Sequence, residues 1–374
     1  MTARLSQINK RRAVTDRAYS VWCTNCKTIA EHDAMAAVLI RGGGIAASCC
    51  AHLLSEAGLK PATEKLDRSK LPAVMLSAGT QQLLRDVFGR EDLLVDLPQI
   101  RKRIVAWGPD AKPLILPHSA VVLSEEQLLD RIQEGLEQNE HGSQQDPEWT
   151  IVASTNLCRK SIEHAFGRRI AAASPVTLKT TCDQEACWIE SLERGWLFLL
   201  PKSEDNGWLL SVGDSVQALL GTSRLIGDQI QGMGASRGAF PSHPRIAMPL
   251  SETGWLACGT AALGFDPLCG DGTGNAIREA ILASAVVRAA VNGFDVESLV
   301  MHYQTRLLAG FRRHLASCFD FYKTGHGGSW WGEQLTELQH GLQWCMQQLS
   351  GCAAYRYRLN GFTLEAANDE FHRA

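Results

Sequence analysis

From residue 37 to about 133 the chain alternates short apolar runs with amphipathic segments, the rhythm of parallel α/β units. "AVLI" predicts a strand that feeds the glycines Gly42, Gly43 and Gly44, and "AASCCAHLLSEAG" follows with helical spacing, ending at Gly58. "LKPATEKLDRSKLP" stands where a second strand belongs, although Pro61 weakens it. "SAGTQQLLRDVFG" (77–89) predicts a helix closed by Gly89, and "RKRIVAW" and "KPLILPHSAVVL" predict strands. Ser124, with Gln127 three residues on, sets up a capping box that opens "SEEQLLDRIQEGLEQ" as a helix. "NEHGSQQDPE" (139–148) is a polar, turn-rich linker.

The middle third changes period. "EWTIVAS", "PVTLKTTC", "ACWIESLERGWLFLLP" and "GWLLSVGD" predict successive strands, and hence an antiparallel sheet inserted into the α/β chain. After Pro249 the α/β pattern returns, and from Val296 onward the chain is mostly helical. The expected organisation is a poorly ordered extension at 1–34, then a nucleotide-binding first part with some substrate-domain strands at 35–148. A mainly substrate-domain sheet follows at 149–249, and 250–374 completes the nucleotide-binding domain and adds C-terminal helices.

Composition narrows the function classes. Apolar residues make up 45% of the 374 and charged residues 21%, the balance of a globular domain. A net charge of −3 gives no basic excess for nucleic acid or an anionic membrane surface, and no apolar run reaches the ~20 residues of a membrane span. The N-terminus lacks the apolar segment of a secretory signal, so a cytoplasmic location is expected. Twelve cysteines without regular spacing read as buried thiols rather than a disulfide framework. "VWCTNCK" matches a thioredoxin-like Cys-x-x-Cys at Cys23 and Cys26, but lacks the preceding strand such a site needs. No second Cys or His pair stands out at zinc-ligand spacing, so no metal is expected.

Two glycine regions carry the chemistry. Gly42, Gly44 and Ala47 fit Gly-x-Gly-x-x-Gly/Ala between a strand and a helix, where small residues let backbone N–H groups approach a pyrophosphate. Glu64, 22 positions after Gly42, stands where an acidic residue would accept ribose hydroxyls. Alone, that fingerprint fits a structural turn equally well. The second region, "GFDPLCGDGTGNAIREAI" (264–281), places Asp266-Pro267 in a turn and Gly270, Gly272, Thr273 and Gly274 at the start of a helix.

Together the two regions resemble the FAD-dependent monooxygenases and halogenases of the para-hydroxybenzoate hydroxylase type. In that family an N-terminal Gly-x-Gly-x-x-Gly holds the ADP half of FAD, and a late Asp-Pro-x-x-Gly-x-Gly lies against the isoalloxazine ring. The resemblance covers residues 37 to about 345. It implies an α/β fold: a Rossmann-type, glutathione-reductase-like FAD-binding domain with an inserted antiparallel substrate sheet and a helical C-terminus. On that basis Gly42, Gly44, Ala47, Glu64, Thr260, Asp266, Pro267, Gly270, Gly272, Thr273 and Gly274 bind FAD. Thr260 replaces the family's ribityl-binding Asp after Gly259, and Ala153-Ser154-Thr155 is a partial match to the mid-chain motif that touches the pyrophosphate and the nicotinamide route. NAD(P)H and another electron donor therefore both stay open.

"GWLFLLP" (195–201) is similar to the halogenase Trp-x-Trp-x-Ile-Pro segment, with Phe198 and Leu200 as replacements, and equally fits an aromatic sheet face. Lys65 and Lys70 fall where a halogenase lysine belongs. "FDPLCGDGTGNAIREAI" with "LPHSAVVLSEEQLLDRI" is most similar to the LodB- and GoxB-like flavoproteins, which build cysteine tryptophylquinone in a partner enzyme. That resemblance implies a cytoplasmic FAD-dependent oxidoreductase that uses molecular oxygen on an aromatic group. The preferred substrate is a tryptophan side chain in a quinone-dependent oxidase precursor, with no role for nucleic acid or membrane. The alternatives are a small-molecule aromatic hydroxylase or halogenase, and a non-catalytic FAD-binding chaperone. Cys269, Asp271 and His118 are the catalytic candidates, and "GHGGSWWGEQL" (325–335) a candidate pocket cap or partner surface.

Overall fold

The computed structural model describes residues 38–66, 68–134, 146–155, 161–351 and 356–367. The expected extension at 1–34, with Cys23 and Cys26, lies outside the described residues. So do Asp67 and most of the 139–148 linker.

Five strands form the sheet that sets up the site: β1 (Val38–Arg41), β2 (Ala62–Glu64), β6 (Trp149–Val152), β15 (Ser251–Glu252) and β16 (Trp255–Ala257), numbered in chain order. Their order is β15-β16-β6-β1-β2, and the last four run parallel. Parallel neighbours bring the C-terminal ends of β16, β6, β1 and β2 to one edge, where open α/β sheets bind ligands. Pro61 does not abolish the second strand, because β2 begins just after it and is a three-residue edge strand. "EWTIVAS" corrects the sequence expectation: its strand β6 pairs parallel with β1 and β16 and belongs to this sheet, not to the antiparallel one. Its buried Trp149, Ile151 and Val152 fit a strand covered on both faces.

Helix α1 (Ile45–Glu56) packs its buried Cys49, Cys50, Leu53 and Leu54 against the long helix α5 (Gly272–Val291). Between them come α2 (Ala78–Phe88), ended by Gly89 in the left-handed conformation, and α3 (Glu125–Gln133), opened by the Ser124–Gln127 capping box. Both match the sequence reading, although α3 stops at Gln133. A short α4 (Val216–Thr222) sits on the second sheet.

That second sheet has nine strands: β3 (Val74–Ser77), β4 (Gln99–Ala106), β5 (Leu114–Leu123), β8 (Ile170–Leu178), β9 (Ala186–Leu192), β10 (Gly195–Ser203), β11 (Asn206–Gly213), β12 (Ile230–Met233) and β13 (Ala239–Pro241). Every pairing is antiparallel except β4 with β9. β7 (Ile162–Ala165), β14 (Arg245–Met248) and β17 (Leu263–Gly264) make a third, small sheet. Helices α6 (Val296–Lys323) and α7 (Ser329–Ser350) pack on each other and complete the expected helical C-terminus. A hairpin of β18 (Tyr357–Asn360) and β19 (Thr363–Ala366) follows. Among the described residues no helix is long and apolar enough to cross a membrane. The eight described cysteines are not in disulfides, and all but Cys269 are buried.

Candidate active site

Three segments converge at the C-terminal edge of the parallel sheet. Gly42 leaves β1 with φ +150°, and a Cβ there would stand 3.2 Å from that of Ala153, just past β6. Gly259, just past β16, has φ +57°, and its Cβ would come within 3.0 Å of Ala46 in the first turn of α1. These approaches hold the helix tight against the strand ends, which explains the small residues. The Thr155 hydroxyl donates to the Thr260 carbonyl at 2.8 Å, and Arg245 donates to that carbonyl at 2.9 Å. The partial Ala-Ser-Thr motif and the Gly259-Thr260 segment thus meet.

At the start of α1 the N-cap is Gly44, with no side-chain cap and no acidic residue in the first turn. Its leading N–H groups therefore have no side-chain acceptor of their own, and the positive end of the helix dipole faces the strand ends. Lys70 Nζ donates to the Gly43 carbonyl at 2.9 Å, which places this lysine at the loop; Lys65 makes no such contact among the described bonds. Arg68 lies over Gly44 and pairs with the buried Glu125. Glu64 ends β2 with its carboxylate half exposed, held at 2.7 Å by Arg41 Nε. The Arg41 hydrogen bond lowers the Glu64 pKa, so it is an ionised acceptor at neutral pH.

The second glycine region repeats this arrangement by different means. Asp271 occupies the N-cap position of α5 but caps nothing. Thr80 on α2 donates to its Oδ1 at 2.9 Å, and Arg278 pairs with Oδ2 at 2.8 Å. Drawn aside, the carboxylate leaves the first-turn N–H groups of Gly272, Thr273 and Gly274 without a side-chain acceptor. A Cβ at Gly274 would collide with Asp271 and Thr80, so glycine is required there. Two uncapped helix N-termini on neighbouring helices suit a ligand carrying distributed negative charge.

The turn before α5 rests on a buried polar network. Asp266 is 1% exposed, and Oδ1 accepts the Leu268 N–H at 2.9 Å. Oδ2 accepts the Tyr322 hydroxyl at 2.9 Å and faces Arg169 at 3.1 Å. Arg169 also donates to Gln334 at 2.9 Å and stacks on the Tyr322 ring, and Tyr322 accepts from Trp196 Nε1 at 3.1 Å. The Asp266 side chain is therefore committed to holding the turn, and Trp196 of "GWLFLLP" is part of the same support. Pro267 and Gly270 shape the turn, Gly270 with φ +60°.

Below the turn, His314 Nε2 accepts the Asp266 N–H at 2.9 Å and lies 3.4 Å from Cys318 Sγ. Cys318 Sγ is 3.6 Å from Cys269 Sγ. The Cys318 thiol draws the Cys269 pKa down to about 5 against the effect of burial, with His314 adding to the pull, whereas burial pushes Cys318 up. The sequence reading missed this group. Its signal was a His-x-x-x-Cys spacing at 314 and 318, which puts both side chains on one face of α6. His118 is elsewhere, half-buried on β5 with Nε2 3.3 Å from Arg103, so the three catalytic candidates are not one constellation.

Trp331 is buried and donates from Nε1 to the Leu192 carbonyl at 2.9 Å. Trp330 is half-buried, edge-on to Trp331 at 5.0 Å and tilted against Tyr322 at 6.1 Å. Within "GHGGSWWGEQL", Trp331 is thus core and Trp330 its partly open neighbour.

No protein-family model and no curated sequence matches the chain. Solved structures do. The flavin-dependent halogenase CmlS superposes with a TM-score of 0.70 at 16% identity, over 85% of this chain and 72% of that one. The fold is that of the flavin-dependent halogenases and hydroxylases. QhpG, a peptidyl tryptophan dihydroxylase essential for tryptophylquinone cofactor biogenesis, matches with a TM-score of 0.70 at 17% identity, over 89% and 86% of the two chains. The brominase Bmp2 matches at 0.62 and 17% identity, over 86% and 94%.

Proposed function

We propose that this chain is an FAD-dependent oxygenase acting on an aromatic group, with a tryptophan side chain of a partner protein as its preferred substrate. The observation that carries the reading is the pair of uncapped helix N-termini on α1 and α5, in a fold shared with flavin-dependent enzymes. The residues fit FAD: uncapped N–H groups for phosphate, an ionised Glu64 for ribose hydroxyls, and a second set of N–H groups for a ring that gains negative charge on reduction.

In this reading Gly42, Gly44 and Ala47 let the α1 N-terminus approach the pyrophosphate, and Glu64 accepts from the ribose. The Thr260 hydroxyl, exposed beside Ala153, binds the ribityl chain as a neutral partner. The N–H groups of Gly272, Thr273 and Gly274 stabilise charge at the ring edge, in a turn fixed by Asp266, Pro267 and Gly270. Bound FAD supplies oxygen activation once reduced; the chain supplies position and exclusion of water. The partial nicotinamide motif at 153–155 supports an electron donor other than NAD(P)H.

The protein substrate is supported by the likeness to QhpG and by the LodB-like phrasing of 264–281. The test supplies FAD-loaded, chemically reduced protein with oxygen and either a tryptophan-containing peptide or free tryptophan. Oxygen added to the peptide and not to the free amino acid, seen by mass spectrometry, supports the reading. Equal oxygenation of both, or halogenation of an added small aromatic, favours the small-molecule alternative; flavin binding with neither product leaves the chaperone reading.

A further inference from the structure

The dithiol beneath the turn has no role in the function just proposed. Cys269 sits in the three-residue 3-10 turn Pro267–Cys269 and is half-buried; Cys318 is on α6 and fully buried. They approach from separate elements 49 residues apart, with sulfurs 3.6 Å apart. A disulfide bond of ~2.05 Å requires a further approach of about 1.5 Å. Cys269 lies on a three-residue turn that ends in a glycine, and Cys318 lies within a 28-residue helix.

The third member sets the chemistry. The Asp266 N–H donates to His314 Nε2, so that nitrogen carries no proton and the imidazole is held in the Nδ1–H form. Nε2 is 3.4 Å from Cys318 Sγ, but its lone pair is taken by the Asp266 amide, so Cys269 Sγ, 3.6 Å away, is the acceptor for the Cys318 thiol proton. The three donor atoms lie within 4.8 Å of one another. Because the Nε2 lone pair is already directed at the Asp266 amide, the cluster favours proton transfer among thiols over metal ligation.

We propose that Cys269 and Cys318 form a redox-active dithiol that is oxidised by peroxides and re-reduced by dithiols. Cys269 is the attacking sulfur and Cys318 the resolving one. The Cys269 thiolate attacks a peroxide oxygen; the O–O bond breaks, Cys269 becomes a sulfenic acid and one water (or alcohol) leaves. Cys318 sulfur then attacks the Cys269 sulfur, the S–S bond forms, the S–O bond breaks, and the departing hydroxide takes the Cys318 proton and leaves as a second water. Overall two thiols lose two electrons to one peroxide, and an external dithiol returns the pair by exchange. The unequal thiols suit these roles, since a thiolate-favouring, partly open cysteine attacks and a buried one resolves.

The test does not depend on flavin. The full chain is treated with stoichiometric hydrogen peroxide, alkylated, digested and read by mass spectrometry, so that each cysteine is followed separately. The proposal predicts a linked peptide pair joining Cys269 to Cys318, formed before any other link among the described cysteines and lost on adding dithiothreitol. Cys318→Ala should leave a sulfenic acid at Cys269 that dimedone traps, and Cys269→Ser should leave Cys318 unmodified. Three results overturn it. These are both thiols recovered alkylated after peroxide, linkage of either to a different cysteine, or release of one zinc ion per chain when the native protein meets a thiol reagent. Because flavin binding is not measured, failure here leaves the oxygenase reading standing.

Discussion

Arg169 and Asp266 form an ion pair 3.1 Å apart with both side chains wholly removed from solvent. Arg169 lies outside both glycine motifs, yet its pair with Asp266, together with the Tyr322 hydroxyl, fixes the turn that leads into α5. Removing one partner leaves a buried charge uncompensated, which typically costs ~3–5 kcal/mol. Arg169→Met is expected to lower stability by that order and to weaken FAD binding further, measured by urea unfolding and FAD titration. Tyr322→Phe should cost less, about 1–3 kcal/mol, since it removes one hydrogen-bond donor.

Glu279 gives a pH dependence of defined sign. Its carboxyl is buried, accepts the Gly259 N–H at 2.8 Å, and burial raises its pKa to about 8. The folded state therefore holds a proton between roughly pH 4.5 and 8 that the unfolded state has released. The stability from this group is complete below about pH 4.5 and is lost as pH rises toward 8. Thermal melts from pH 5.5 to 8.5 should show a falling Tm, and Glu279→Gln should flatten that slope.

Gly42→Val tests the first cradle. The side chain would meet Ala153 and adopt a φ that L-residues avoid. The expected result is FAD affinity reduced by at least about tenfold, or ~1.4 kcal/mol, with the far-ultraviolet circular dichroism of the native fold retained. Unaltered affinity would remove the loop from the site.

Glu64→Gln separates binding from stability. Its pairing with Arg41 is at the surface and partly exposed, and such pairs contribute only ~0–1 kcal/mol. The variant should melt close to the parent while binding FAD several-fold more weakly; riboflavin, which lacks the ADP ribose, should bind both alike.

Much of this arrangement was legible because it is local. Glycine spacing at 42–47 and 270–274, the capping box at Ser124 and the left-handed stop at Gly89 depend on residues a few positions apart. The strand at 149–152 was assigned to the wrong sheet because four apolar-rich residues carry no mark of parallel or antiparallel pairing. Arg169, Tyr322, His314 and Glu279 escaped notice because their partners lie 20 to 165 residues away, and a polar residue looks the same in sequence whether it faces water or a buried partner. Asp266 was read as a cofactor ligand from its motif; only the packed structure shows its carboxylate turned inward.

The most direct measurement is an absorbance spectrum of the purified full chain after addition of FAD and gel filtration, followed by anaerobic mixing with NADH and then dithionite. The account predicts a yellow protein with stoichiometric FAD that bleaches slowly with NADH and at once with dithionite. A colourless protein that retains no FAD would contradict it.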